Sequence, residues 1–191
     1  INLFTSSLND LIFSMANKIY IEWKEFNTLV EKVAIQIDDN GFKPDLIVGI
    51  MRGGAAIIDI LSRIFKVKTA YLAASSYSGE MIEDKQSESI VFAREMSSTM
   101  NEFPKNMKIL VVDDLTDTGR TLDYTIKYLK EYPQLKGKIS EIRTCVLFQK
   151  PKSTFKPDFV GKVLIENDWL ILPTEPFEEI RVDDLRKKHN K

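Results

Sequence analysis

The chain has 191 residues, 43% of them hydrophobic, enough for one sizeable core and too little for two ordinary domains. Its 27 lysines and arginines nearly cancel its 28 aspartates and glutamates, so no global field calls for nucleic acid or an acidic membrane surface. The single cysteine, Cys145, cannot form an internal disulfide, and the single histidine, His189, lies in a charged tail, which excludes zinc sites and histidine-based triads.

The opening INLFTSSLNDLIFSM has no basic n-region, no small-residue cleavage site and no apolar run near the roughly 20 residues of a membrane span. It is expected to be neither a signal peptide nor an anchor. The first methionine is Met15, and an ordinary domain pattern starts at MANKIYIEW. Residues 1–14 are therefore expected to be an extension and 15–191 a single domain.

Trp23, Phe26, Leu29, Val30, Val33 and Ile37 recur at helical spacing, and NGFKP then breaks the helix before the apolar run LIVGI at 46–50. After MRGG, the positions Ile57, Ile58, Leu61, Ile64 and Phe65 predict a second helix, and Thr69 to Ala74 a short strand. A second strand–helix–strand unit begins at ILVV, 109–112. It passes through DDLTDTGR, continues as a helix with Leu122, Ile126 and Leu129 on one face, and returns as the strand IRTCVLF. Cys145 sits in that strand, where nothing nearby in sequence would activate its thiol. VDDLRKKHNK reads as a solvated helical or frayed tail. Short buried strands separated by helices imply an α/β fold with a mainly parallel sheet covered on both faces. Ligands on such sheets bind beyond the carboxyl ends of the strands, where MRGG and DDLTDTGRT both fall.

Residues 75–107 are polar and weakly periodic, and a long insertion of that kind suits a lid over a site. Its competitor is a surface hairpin without a chemical role. Ser75, Ser76 and Tyr77 at its base are candidates to touch ligand.

The loop DTGRT offers consecutive backbone N–H groups, two threonine hydroxyls and the positive end of a helix dipole, an arrangement suited to a phosphate monoester. Immediately upstream, Asp113 and Asp114 can accept hydrogen bonds from vicinal hydroxyls or hold a hydrated Mg²⁺. Together they describe a sugar phosphate. Helix capping alone would not need three acids in five residues. Neither a P-loop nor a Rossmann signature occurs in the chain.

VVDDLTDTGRT resembles the phosphoribosyl-pyrophosphate (PRPP) motif of the type I phosphoribosyltransferases: an apolar strand, two acids, two residues, then Asp-Thr-Gly-x-Thr. YIEW at 20–23, GIMRGGA at 49–55, ASSY at 74–77, FQKP at 148–151 and NDWLILPTE at 167–175 follow in the order of the 6-oxopurine branch. They are most similar to the xanthine-guanine group. The resemblance spans nearly everything after residue 19. It implies a central, mainly parallel sheet flanked by helices, a flexible lid at about 75–107 and a small base-binding hood at about 148–180.

It also implies roles. Asp117 would face purine N7 as general acid/base. Thr118, Gly119, Arg120 and Thr121 would cradle the 5′-phosphate, and Asp113 and Asp114 would hold the ribose hydroxyls. Arg52, Gly53 and Gly54 would bind pyrophosphate, with Arg94 in the lid a weaker candidate. Lys150 would donate to the 6-oxo group, Trp169 would stack on the base and the Leu170 backbone would read its edge. The metal, Mg²⁺, would lie near Asp113, Asp114 and Glu175, and the peptide before Arg52 is often cis in members of the family. The implied partners are PRPP and hypoxanthine, guanine or xanthine, in a cytoplasmic homodimer or homotetramer that binds neither nucleic acid nor membrane.

Each role has a plain competitor: a solvated strand end for Lys150, a core residue for Trp169, a surface turn for Arg52. Arg120 is bulkier than the glycine some relatives carry, and Pro173-Thr174-Glu175 replaces a second tryptophan, so the choice among oxopurines stays open. Two further readings remain: a PRPP- or nucleotide-sensing regulator without turnover, and a phosphoribosyltransferase for another base.

Overall fold

The computed structural model describes residues 18–77, 89–92 and 95–189, with backbone alone at 75–77 and 89–92. They divide into two compact units, one built from residues 29–165 and the other from the described parts of 1–28 and 166–191. Residues 1–14, expected to form an extension, lie outside the described residues, as does Arg94.

The larger unit is a seven-stranded sheet. Its strands are β2 (Leu46–Met51), β3 (Lys68–Tyr77), β4 (Ser89–Phe92), β5 (Ser97–Ser98), β6 (Met107–Thr116), β7 (Ile139–Gln149) and β8 (Phe159–Val163). The order is β4-β3-β2-β6-β7-β8, with β5 also pairing to β3. The pairs β2·β3, β2·β6, β6·β7 and β7·β8 are parallel, whereas β4 and β5 run antiparallel to β3. Helix α2 (Ala55–Phe65) connects β2 to β3, and helix α3 (Arg120–Glu131) connects β6 to β7. Helix α1 (Trp23–Asp39) precedes β2.

The central strands are apolar on both sides because both sides are covered. Leu46, Ile47, Val48, Ile109, Leu110, Val111 and Val112 are all fully buried, the pattern of a parallel sheet between helical layers. Each such aliphatic side chain stabilises the fold by about 1.5–3 kcal/mol through burial. In α1 the predicted stripe supplies Leu29, Val30, Val33 and Ile37 to the interior. In α3 Leu122 and Leu129 are buried as predicted, but Thr125 shares their row, while Ile126 is only half-buried. The Thr125 hydroxyl donates to the Thr121 carbonyl at 2.7 Å, which is how a helix accommodates a buried threonine. The open edge of β8 is met by Gln36: its amide donates to the Val160 carbonyl at 3.0 Å and accepts from the Val160 N–H at 3.2 Å.

Three expected boundaries move. The strand expected at Thr69–Ala74 runs from Lys68 to Tyr77, so Ser75, Ser76 and Tyr77 pair in register with Val91, Ile90 and Ser89. At the base of the insertion the end of β3 therefore pairs antiparallel with β4. At its far end, Met96, Phe103 and Met107 pack into the core, so residues 95–107 belong to the scaffold. These apolar anchors stand singly among polar residues, so no period announces them. The third shift concerns β6, which carries on through both aspartates to Thr116, with Asp113 opposite Val146 and Leu115 opposite Phe148.

In the smaller unit, β1 (Lys18–Tyr20) pairs in parallel with β9 (Trp169–Ile171), placing Lys18 opposite Trp169 and Tyr20 opposite Ile171. A 3₁₀ turn at Glu175–Glu178 and helix α4 (Val182–His189) follow. The expected tail is thus helical, with Asp183 and Asp184 in its first turn and four basic side chains in its last, the charge order that suits a helix dipole.

Candidate functional site

The chain leaves β2 toward β3 on one side and leaves β6 toward β7 on the other, although β2 and β6 are neighbours. The crevice beyond their carboxyl ends is therefore the topological switch point, where open α/β sheets receive ligands. The two unusual loops of the sequence leave from there. Gly54 packs so tightly that a Cβ would come within 2.6 Å of the Val112 carbonyl oxygen and 2.9 Å of that of Ile50. A Cβ on Gly53 would overlap the Asp114 carboxylate. These glycines bring the turn after β2 onto the end of β6, and the Met51–Arg52 peptide that enters it is cis.

Asp113 is 8% exposed, and its Oδ1 accepts a 3.0 Å hydrogen bond from the Asp114 N–H. Burial, reinforced by the neighbouring Asp114 charge, pushes the Asp113 carboxyl well above the usual carboxylate range. Burial also raises that of Asp114. A diol or a divalent cation would relieve two such carboxylates.

Gly119, at φ +90°, turns the chain from β6 into α3, and its missing Cβ makes room for Phe155. Thr118 and Arg120 are exposed around this turn, at the helix end where backbone N–H groups lack intrahelical partners. The turn is held from the other side by the segment after β7. Lys150 N–H donates to the Thr116 carbonyl at 3.0 Å, and Thr154 N–H to that of Thr118 at 3.2 Å. The Thr154 hydroxyl adds a second bond to the Thr118 carbonyl, and the Thr116 and Ser153 hydroxyls meet at 3.1 Å.

Lys150 is buried, at 5% exposure, which removes the plain alternative of a solvated strand end. Its Nζ lies 3.7 Å from Asp117 Oδ1. Lys152 Nζ approaches the same oxygen to 2.9 Å. Oδ1 is closed off from solvent, and both contacts are ionic without hydrogen-bond alignment. Sequence reasoning missed Lys152 and the Ser153–Phe155 clamp. The only signal was the spacing of Lys150, Lys152 and Thr154 in KPKST, which has no meaning until β7 is placed beside β6.

Trp169, Leu170 and Glu175 belong to the smaller unit. Trp169 is 39% exposed, hence not a core residue, whereas Leu170 is buried. Lys18, Tyr20, Trp169 and Ile171 line a cavity of about 610 Å³ together with Glu175 and Pro176, a volume typical of small-molecule sites. Among the described residues no group of three or more His, Cys, Asp or Glu side chains converges as a metal cage. Asp113 and Asp114 nevertheless fit Mg²⁺, which is commonly held by one or two carboxylates plus substrate oxygens and water. No helix among the described residues is long and apolar enough to cross a membrane.

The fold and these loops define an open α/β protein whose ligand crevice lies at the β2/β6 switch point. The phosphoribosyl transferase domain family matches residues 17–177, and the chain belongs to that family. The hypoxanthine-guanine phosphoribosyltransferase of Lactococcus lactis subsp. lactis (strain IL1403) is 30% identical over 137 residues, 68% of this chain and 66% of that protein. The chain thus spans just under two thirds of that relative. The protein of the same name from Aquifex aeolicus (strain VF5) is 27% identical over 151 residues, 75% of this chain and 78% of its own. Among solved structures, the purine phosphoribosyltransferase from Pyrococcus horikoshii Ot3 superposes with a TM-score of 0.68 at 26% identity, covering 86% of this chain and 97% of that one.

Proposed function

We propose that this phosphoribosyltransferase transfers the 5-phosphoribosyl group of PRPP to a 6-oxopurine, giving the nucleoside 5′-monophosphate and pyrophosphate. The observation that carries the reading is the Lys150–Asp117 pair, with Nζ and Oδ1 3.7 Å apart. A buried donor beside an acceptor complements the 6-oxo group and N7–H of an oxopurine, which sit side by side on the ring.

In this reading the purine N9 lone pair attacks ribose C1, the bond from C1 to the pyrophosphate oxygen breaks, and the N7 proton passes to the Asp117 carboxylate. Positioned acid/base groups of this kind contribute about 10²- to 10⁴-fold. Asp113 and Asp114 hold the ribose hydroxyls, and the turn from Thr118 to Thr121 holds the 5′-phosphate. Arg52, with the backbone of Gly53 and Gly54, receives the pyrophosphate as its charge develops, the kind of electrostatic contribution that is often the largest. By the family resemblance, Trp169 and the Leu170 backbone of the smaller unit are read as base-contacting groups. The segment that follows Ser75, Ser76 and Tyr77 is read as a lid that keeps out water that would hydrolyse PRPP, and Arg94 as a weaker candidate for the pyrophosphate. Asp113 and Asp114 would hold Mg²⁺, which would supply charge neutralisation for the leaving pyrophosphate. The protein is read as a cytoplasmic purine-salvage enzyme working as a homo-oligomer.

The test is pyrophosphate release from PRPP and Mg²⁺ with hypoxanthine, guanine, xanthine, adenine and orotate in parallel. Turnover confined to one or more of the first three, and abolished by EDTA, is the expected result. No turnover with any base would favour a sensing regulator, and turnover with orotate alone a different transferase.

A further inference from the structure

Asp117 has a second lysine beside it. Lys152 Nζ lies 2.9 Å from Oδ1, nearer than the 3.7 Å of Lys150. The two lysines differ in surroundings: Lys150 is buried, whereas the Lys152 side chain is 47% exposed and that of Asp117 is 46% exposed. Oδ1 itself is shut off from solvent. The exposure of Asp117 therefore falls on the rest of the side chain, Oδ2 included, and Oδ2 is the carboxylate edge left for a substrate.

The backbone under Lys152 is fixed. Lys150 N–H is bonded to Thr116, Ser153 N–H to the Lys150 carbonyl, and Thr154 N–H to Thr118. Lys152 thus stands on a short segment tied at both ends to the residues that flank Asp117. A half-exposed ion pair adds little to stability, so the consequence of this contact lies in where it puts the carboxylate.

We infer that Lys152 is a positioning residue for the transfer reaction: by holding Asp117 Oδ1 it fixes the carboxylate so that Oδ2 meets the purine proton, leaving Lys150 for the base. The inference rests on Asp117 as acid/base group. It assigns Lys152 no contact with PRPP or with the purine. Misplacing a reacting group by about 1 Å can cost about 10²-fold, which sets the size of the effect.

The experiment compares hypoxanthine turnover for the wild type, Asp117→Asn, Lys152→Met, Lys152→Arg and the double variant Asp117→Asn/Lys152→Met, each with its melting temperature. Lys152→Met is expected to lower kcat by about 10- to 100-fold with KM for PRPP and melting temperature unchanged, and Lys152→Arg to restore most of the loss. In the Asp117→Asn background, Lys152→Met is expected to have no further effect, because it acts through that carboxylate. Wild-type kcat in Lys152→Met, or full multiplication of the two losses in the double variant, would overturn the inference while leaving the oxopurine reading in place. Wild-type turnover by Asp117→Asn would instead remove the acid/base assignment on which the inference stands.

Discussion

Gly53 lies so close to Asp114 that a Cβ at position 53 would occupy the space of the Asp114 carboxylate. The turn after β2 and the acid at the end of β6 are therefore shaped to each other. Gly53→Ala must displace either the carboxylate or the turn. Overpacking of this kind costs about 1–3 kcal/mol, so the variant is expected to fold with a lowered melting temperature. PRPP turnover should fall far more than the melting temperature suggests, by about 10²-fold. Normal kinetics in Gly53→Ala would show that Asp114 need not hold its place.

Asp113 gives a pH signature. Its carboxyl is raised by burial first and by Asp114 second, so the folded chain keeps this proton at pH values where the unfolded chain has lost it. Stability from this group then falls as pH rises, from about 3.9, the ordinary aspartate value, up to the raised folded value. Above that value the full cost is present. Asp113→Asn cannot ionise and can still accept the Asp114 N–H bond. We expect its melting temperature to exceed that of the wild type by a margin that widens as pH rises above about 4, with turnover crippled. A margin that narrows with rising pH would contradict the direction of the shift.

Lys150 should set discrimination against adenine. An ammonium has three donors and no acceptor, so it satisfies a 6-oxo group but meets the 6-amino group of adenine with like polarity. Sites built around one hydrogen bond reject an analogue lacking the partner by about 10⁴ to 10⁵. We expect kcat/KM for hypoxanthine or guanine to exceed that for adenine by at least about 10³-fold, and Lys150→Met to collapse most of the ratio by slowing the oxopurines. Comparable rates with adenine in the wild type would remove the role of Lys150.

Cys145 should be inert. It is fully buried in β7, and burial pushes its thiol well above the usual range. A thiol reagent at mildly alkaline pH is expected to modify the native protein only at the rate at which it unfolds, and to modify it at once in denaturant. Rapid modification of the native protein would place Cys145 at a surface.

The sequence by itself determined the alternation of strands and helices and the two loops that matter, because apolar periodicity and the DTGRT and MRGG compositions are local properties. It also placed Asp113, Asp114 and Asp117 on one short segment. Only the tertiary structure decided that both adjacent aspartates stay within β6, since their pairing with β7 depends on residues some 30 positions away. The same holds for the core anchors Met96 and Phe103, which no period marks. Lys152 is the sharpest case: two positions from Lys150 in a polar loop, it gains a partner only because parallel pairing of β6 and β7 brings their carboxyl ends side by side. Contacts across a parallel sheet join residues that a whole crossover separates, and no local pattern records them.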